Sequence, residues 1–168
     1  MERFARTANT AAKQLGASTL DYTKAALIYY QQGLSEEDVQ ARTNTTLKVA
    51  NVTGQSGNTV SEQLTAVWNG YKVSAAEAEQ YIDKLSAVAA ATASDLEELS
   101  TGMGKVASAA NSMGVDIDQL NAQLATIISV TRQAPESVGT ALKTIFARMT
   151  DIEAGTEESG VTLGKYTA

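Results

Sequence analysis

The sequence predicts an all-α chain, a bundle or array of about seven short helices carrying loose helical-hairpin repeats and no sheet. Three observations predict it. Alanine occurs 28 times and proline once, a balance that favours helix because Ala has the highest helix propensity and Pro the lowest. Apolar residues recur at intervals of three and four along most of the chain, and no useful stretch alternates apolar and polar residues as a half-buried strand does. Helix-start signals recur between these stripes.

Taken in order, residues 1–34 read as an N-terminal helical segment with helices over 2–14 and 19–32, the second striped by Leu20, Thr23, Leu27, Tyr30 and Leu34. Ser35, followed by Glu36, Glu37 and Asp38, caps a helix over 36–53: its hydroxyl satisfies an orphan N–H, and the acids sit at the positive end of the dipole. Thr59/Glu62, Ser74/Glu77 and Ser94/Glu97 each fit the reciprocal capping box, which opens helices over 59–70, 75–93 and 95–113. Asp116 caps a helix over 117–132. Pro135 is best tolerated in a first turn, so the last main helix spans 135–153.

Residues 35–153 then form a helical core domain with three loose repeats of about 40 residues. Gly33-Leu34-Ser35, Lys72-Val73-Ser74 and Gly114-Val115-Asp116 each place an apolar residue and a capping residue ahead of an apolar fourth helical position, the hydrophobic staple. Gly33 and Gly114 suit the left-handed residue that ends a helix; Lys72 departs from this. The seams expected to be core or partner-facing are Leu64 and Trp68, then Leu96, Leu99 and Met103, then Leu120 and Leu124, and finally Leu142, Phe146 and Met149. Gly155, Gly160 and Gly164 mark residues 154–168 as a flexible tail or a linker to further chain.

Composition excludes several functions. Cysteine and histidine are both absent, which removes thiol nucleophiles, disulfides, Cys/His zinc sites and His general bases. The net charge of −6 opposes direct nucleic-acid binding and attraction to anionic lipid. No apolar run approaches the ~20 residues of a membrane span. Gly102-Met103-Gly104-Lys105 lacks the glycine spacing and the Ser or Thr of a phosphate loop, and reads better as closely packed helix. Asp116 and Asp118 lack the further ligands of a calcium loop. Adjacent acids such as Glu97/Glu98 fall on solvated faces. No catalytic, cofactor-binding or metal-ligating residue is identified, and the chain is expected not to be an enzyme.

Trp68-Asn69-Gly70, placed between helices, resembles the turn of the small secreted Trp-x-Gly helical hairpins exported by type VII systems. That family has two long helices and a C-terminal Tyr-x-x-x-Asp/Glu signal, for which Tyr166 lies too near the end. A resemblance of wider extent is carried by Ala25–Val39 running on to Val49–Gly54, by Gly114–Asp118, and by Ser137–Met149 followed by Asp151–Gly155. These stretches resemble the core region of tail tape-measure proteins, of the type found in long non-contractile tails of phages and prophages of Gram-positive bacteria. The resemblance implies a structural chain that sets tail length during tube assembly and leaves on genome delivery. It implies the tail tube protein, tail assembly chaperones and baseplate or initiator proteins as partners, together with self-association. It implies residence in the tail interior of the virion, and in the host cytoplasm during assembly. At ~1.5 Å per residue even one continuous helix of this length reaches only about 250 Å, so the chain reads as a fragment of a longer ruler.

Overall fold

A computed structural model describes the backbone of residues 2–159 and the side chains of residues 6–152. Within these residues the chain is all-α, with eight helices and no strand. They are α1 (Glu2–Gln14), α2 (Thr19–Gln31), α3 (Glu36–Thr53), α4 (Gly57–Tyr71), α5 (Ala78–Ala91), α6 (Leu96–Ser112), α7 (Ile117–Thr131) and α8 (Pro135–Ser159).

Local chemistry sets the boundaries. Ser35 caps α3, its hydroxyl accepting the Asp38 N–H at 3.1 Å, and Asp116 caps α7 through the Asp118 N–H at 2.8 Å. Two of the expected caps are displaced. The N-cap of α4 is Ser56, whose Oγ accepts from Thr59 N at 3.1 Å; Thr59 is thus inside the first turn, and Glu62 instead accepts from the Asn58 side chain. The capping box of α6 is Asp95 with Glu98, one residue beyond Ser94/Glu97. An ionised Asp is a stronger acceptor than a Ser hydroxyl, and the one-residue shift lets Ser94 turn inward to share a hydrogen bond with Thr92 at 2.6 Å. Ser74 and Glu77 do exchange reciprocal bonds, at 3.0 and 3.3 Å, but these close a turn ahead of α5, whose first residue is Ala78.

Helix ends also differ in one instructive case. Lys72, lacking the freedom of a glycine, adopts the left-handed conformation at the end of α4 (φ 55°) and donates its N–H to Trp68 O. Gly33 and Gly114 take the same region, with φ of 75° and 71°. α8 does not stop at 153: it continues through Gly155 to Ser159. The expected tail beyond residue 159 lies outside the described residues.

The helices form two layers. α2, α4, α6 and α8 start at Thr19, Gly57, Leu96 and Pro135, about 39 residues apart, a helical-hairpin period. They stack side by side and run the same way: Gln32 bonds Thr65 at 3.1 Å, Gln63 bonds Thr101 at 3.0 Å, and the Thr150 hydroxyl meets the Met113 sulfur. α3, α5 and α7 make the second layer, joined by the Lys48–Glu79 ion pair and by Lys84–Asp118 at 2.7 Å. One hydrophobic cluster runs from Ala8 to Phe146 between the layers. Glycines set how closely the first layer stacks. A Cβ on Gly139 would lie 2.5 Å from Gly102 O, and one on Gly70 would lie 2.8 Å from Ser108 N. Neither backbone atom can yield as a flexible side chain could, so α8 and α4 approach α6 at a distance only glycine permits.

Candidate functional site

Three places concentrate side chains that could do more than fill space. The first is buried between α2, α3 and α4. Tyr29 and Trp68 pack with centroids 5.5 Å apart and ring planes tilted by 44°, and the Arg42 guanidinium lies 4.9 Å from the centroid of the indole. Arg42 donates one hydrogen bond, Nη2 to Val73 O at 2.8 Å, and is buried beside Thr43, Thr45, Thr46 and Ser61. The Tyr29 hydroxyl and Thr46 Oγ1 are 2.6 Å apart. Burial pushes the Tyr29 hydroxyl up to about 12 and lowers Arg42, against smaller opposing effects of Tyr29 and Asp38. A cation over an indole in a dry site is worth up to ~2 kcal/mol, which ties α3 to α4 with a directional contact. Nothing here offers a nucleophile paired with a base.

The second is a cleft of about 280 Å³ lined by Tyr71, Lys72, Val73, Tyr81, Lys84 and Asp118, among others. Two of its charged groups are committed to each other. Lys84 pairs with Asp118, which holds the ammonium above its ordinary value. The Tyr71 hydroxyl donates to Val115 O at 3.0 Å, and burial pushes it up to about 12. Burial raises Tyr81 as well. Among the described residues no group of acidic side chains converges as a metal site would require, and no helix is long and apolar enough to cross a membrane.

The third is the outer edge of the first layer. Of the sequence-predicted seams, Leu64, Trp68, Leu96, Leu99, Met103, Leu120, Leu124 and Phe146 are buried in the common cluster, and Leu142 packs against it half-buried. Met149 is not a core residue: it is 49% exposed, with Ile145 and Ile152 beside it on α8. The stripe read along α2 is overturned at Leu20 and Leu27, which are exposed. α2 buries Tyr22, Ala25, Ala26 and Tyr29 instead, a face that a count of large aliphatics passes over because two of its members are alanine.

Trp68 and Gly70 lie inside the last turns of α4, with Trp68 1% exposed. They therefore do not form the turn between two long helices that the Trp-x-Gly likeness requires.

The site geometry is that of a stacked helical array whose polar groups fasten one helix to the next. The profile of the phage-related minor tail protein family matches residues 9–166. The chain belongs to that family. Its role is accordingly structural, in a phage tail, and this family membership gives the Trp-x-Gly alternative no support. No solved structure matches the chain. For this minor tail protein, sequence reasoning missed Arg42, Tyr29 and Gly139. Arg42 sits among threonines in a segment with a polar look, and the only available signal was its position on the Val39–Thr46 face of α3.

Proposed function

We propose that this minor tail protein segment is part of the tape-measure protein of a long non-contractile tail, the chain that sets tail length while the tube polymerises and leaves on genome delivery. The observation that carries the reading is family membership across residues 9–166 in a chain that is a regular array of helices about 39 residues apart. A ruler needs length that scales with residue number, and a repeated helical unit supplies that. The segment itself has no catalytic activity and no cofactor; it acts by contact. Its partners are the tail tube protein, assembly chaperones that shield its apolar faces beforehand, and baseplate or initiator proteins, with further copies of itself alongside. It resides in the tail interior after a period in the host cytoplasm.

The test is an in-frame deletion of residues 57–95, one repeat, in the parent phage, with tail lengths measured by electron microscopy. Removal of one repeat should shorten tails by about 60 Å if the chain unpacks in the tail into continuous helix at ~1.5 Å per residue, and by only about 10 Å, one helix spacing, if it keeps the stacked array. Viable particles with tails of unchanged length would sink the ruler role. An antibody to this chain should also mark a band travelling with purified particles.

A further inference from the structure

Left-handed backbone is taken by Gly16, Gly33, Gly54 and Gly114, and also by Lys72 (φ 55°) and Arg132 (φ 56°). For a residue with a Cβ that conformation is costly. Arg132 has a structural use there, since its guanidinium donates to Ala93 O. Lys72 has none of that kind. It is exposed, and its ammonium makes no hydrogen bond or ion pair among the described residues.

Lys72 borders the cleft between α4, α5 and α7, and a second unsatisfied group lies at the same place. Tyr81 is 4% exposed, and its hydroxyl is buried without a hydrogen-bond partner. Buried groups of this kind are few in a folded chain, because the water they gave up is not replaced. Burial raises the hydroxyl above the usual tyrosine range, and Tyr71 and Asp118, which both line the cleft, add to the shift. The hydroxyl is therefore close under the cleft floor. The other charged groups are engaged: Lys84 pairs with Asp118 at 2.7 Å, and Glu77 accepts from Ser74 N and Oγ at 3.0 and 2.6 Å. What stays uncommitted is an ammonium and a phenolic O–H, both able to donate, beside the half-buried Tyr71, Val73 and Ile117. The complement of that set is a carboxylate on a short apolar stem.

We propose that the cleft binds an acidic side chain presented by a partner protein, with Lys72 as its charge partner and Tyr81 as its hydrogen-bond donor. Exposed side chains at the rim, Gln80 among them, change rotamer freely and uncover the hydroxyl as the carboxylate enters. The source is a protein chain because one exposed ion pair contributes little by itself. A free acid gains too little from Lys72 to stay, whereas a side chain is delivered by the rest of its interface. The cleft, at about 280 Å³, is also smaller than the ~300–1,000 Å³ of a typical small-molecule site. It has these properties whether or not the chain is a ruler.

The probe is the capped tripeptide acetyl-Ala-Glu-Ala-amide, titrated into the isotope-labelled full chain at constant ionic strength and followed by nuclear magnetic resonance. A saturable shift of the Lys72, Tyr81 and Ile117 signals is expected, with a millimolar dissociation constant. The Ala-Gln-Ala analogue, which differs in charge alone, should bind about fivefold or more weakly. Lys72→Gly and Tyr81→Phe should each weaken the Glu peptide by a similar factor, and Lys72→Arg should retain it. Neither loss is one of folding. Glycine takes the left-handed conformation without strain, and phenylalanine removes only a hydroxyl with no internal partner, so both variants should melt no lower than the parent. No saturable shift up to about 50 mM peptide overturns the proposal, as does equal binding of the Gln analogue or equal binding by Lys72→Gly. Free butyrate binding as tightly as the Glu peptide also overturns it, and assigns the cleft to a small free carboxylate.

Discussion

Between α2 and α4 the interior holds Tyr29, Arg42, Thr43, Thr46, Ser61 and Trp68; between α6 and α8 it holds Leu99, Met103, Val106, Leu124, Ile128 and Val138. Both interiors serve the same repeat geometry, yet they are held by different forces. The first is fixed by directional contacts: a hydroxyl pair, a guanidinium over an indole, and a side-chain bond to a carbonyl. Such contacts specify one arrangement but add little net stability, because each group gave up water to make them. The second is aliphatic and is drawn tight by Gly102 and Gly139, where backbone meets backbone. Its stability comes from area removed from water and from close packing. Asn121, 1% exposed on α7, is the polar exception there. The lesson is that one repeat unit tolerates either chemistry, provided the helix spacing is kept.

The comparison can be broken most directly by Leu99→Asp. A carboxylate at a fully buried aliphatic position must be desolvated or exposed by unfolding, so the cooperative melt followed by circular dichroism should be lost. Leu142→Asp, at a half-buried site, should lower the melting temperature without abolishing the transition. Equal effects would mean that α8 contributes as much to the fold as α6 does.

Gly139→Ala should come next. Its Cβ would lie 2.5 Å from Gly102 O and 2.9 Å from Lys105 Cβ, forcing α6 and α8 apart at a cost of about 1–3 kcal/mol, read in urea unfolding. A neutral result would show that the interface adjusts freely and that close backbone approach is not what holds the aliphatic half.

The capping assignments separate at about the same scale. Asp95→Ala should cost about 1 kcal/mol, since its carboxylate accepts the Glu98 N–H at 2.7 Å. Glu97→Ala, at an exposed position, should change stability little. The reverse ranking would restore the start read from Ser94.

Alkaline titration probes the tyrosines of the polar half and its neighbouring cleft. Burial raises Tyr29 and Tyr71 to about 12 from an ordinary value of 10.0. The unfolded chain therefore loses these protons first. The stability they contribute is fully present below pH ~10 and is lost as pH rises toward ~12. A stability curve flat from pH 9 to 12 would contradict that burial. A small effect is expected of Arg42→Met, within about 1 kcal/mol, because an apolar side chain of similar length removes a desolvated charge along with its partial compensation. A loss above about 2 kcal/mol would make the guanidinium a principal anchor of the N-terminal half.

Much of this fold was legible in the chain itself. The helices over 36–53 and 117–132 were placed to within a residue because Ser35 and Asp116 each stand alone, in a setting where one side chain can satisfy the first N–H groups. Where two acceptors stood side by side, as at Ser94 and Asp95, spacing alone could not choose, and inward packing decided. Ser56 gives little signal in the sequence because glycine and asparagine follow it and mask the stripe behind. The α2 face was misread because its burial depends on neighbours: Ala25 lies against Gly57 of α4, a contact between positions 32 residues apart in the chain.

What the sequence by itself determined is helical class, most helix positions and the absence of Cys and His chemistry, all of which follow from residue type and short-range spacing; the likeness to phage tail proteins came from resemblance of whole stretches and not from those rules. Which apolar residues meet another helix was decided only by tertiary structure. Val106 and Ile145 occupy equivalent places on equivalent stripes, yet one is sealed and the other half open. The physical reason is that burial belongs to the pair of surfaces in contact, and a stripe fixes only one of them.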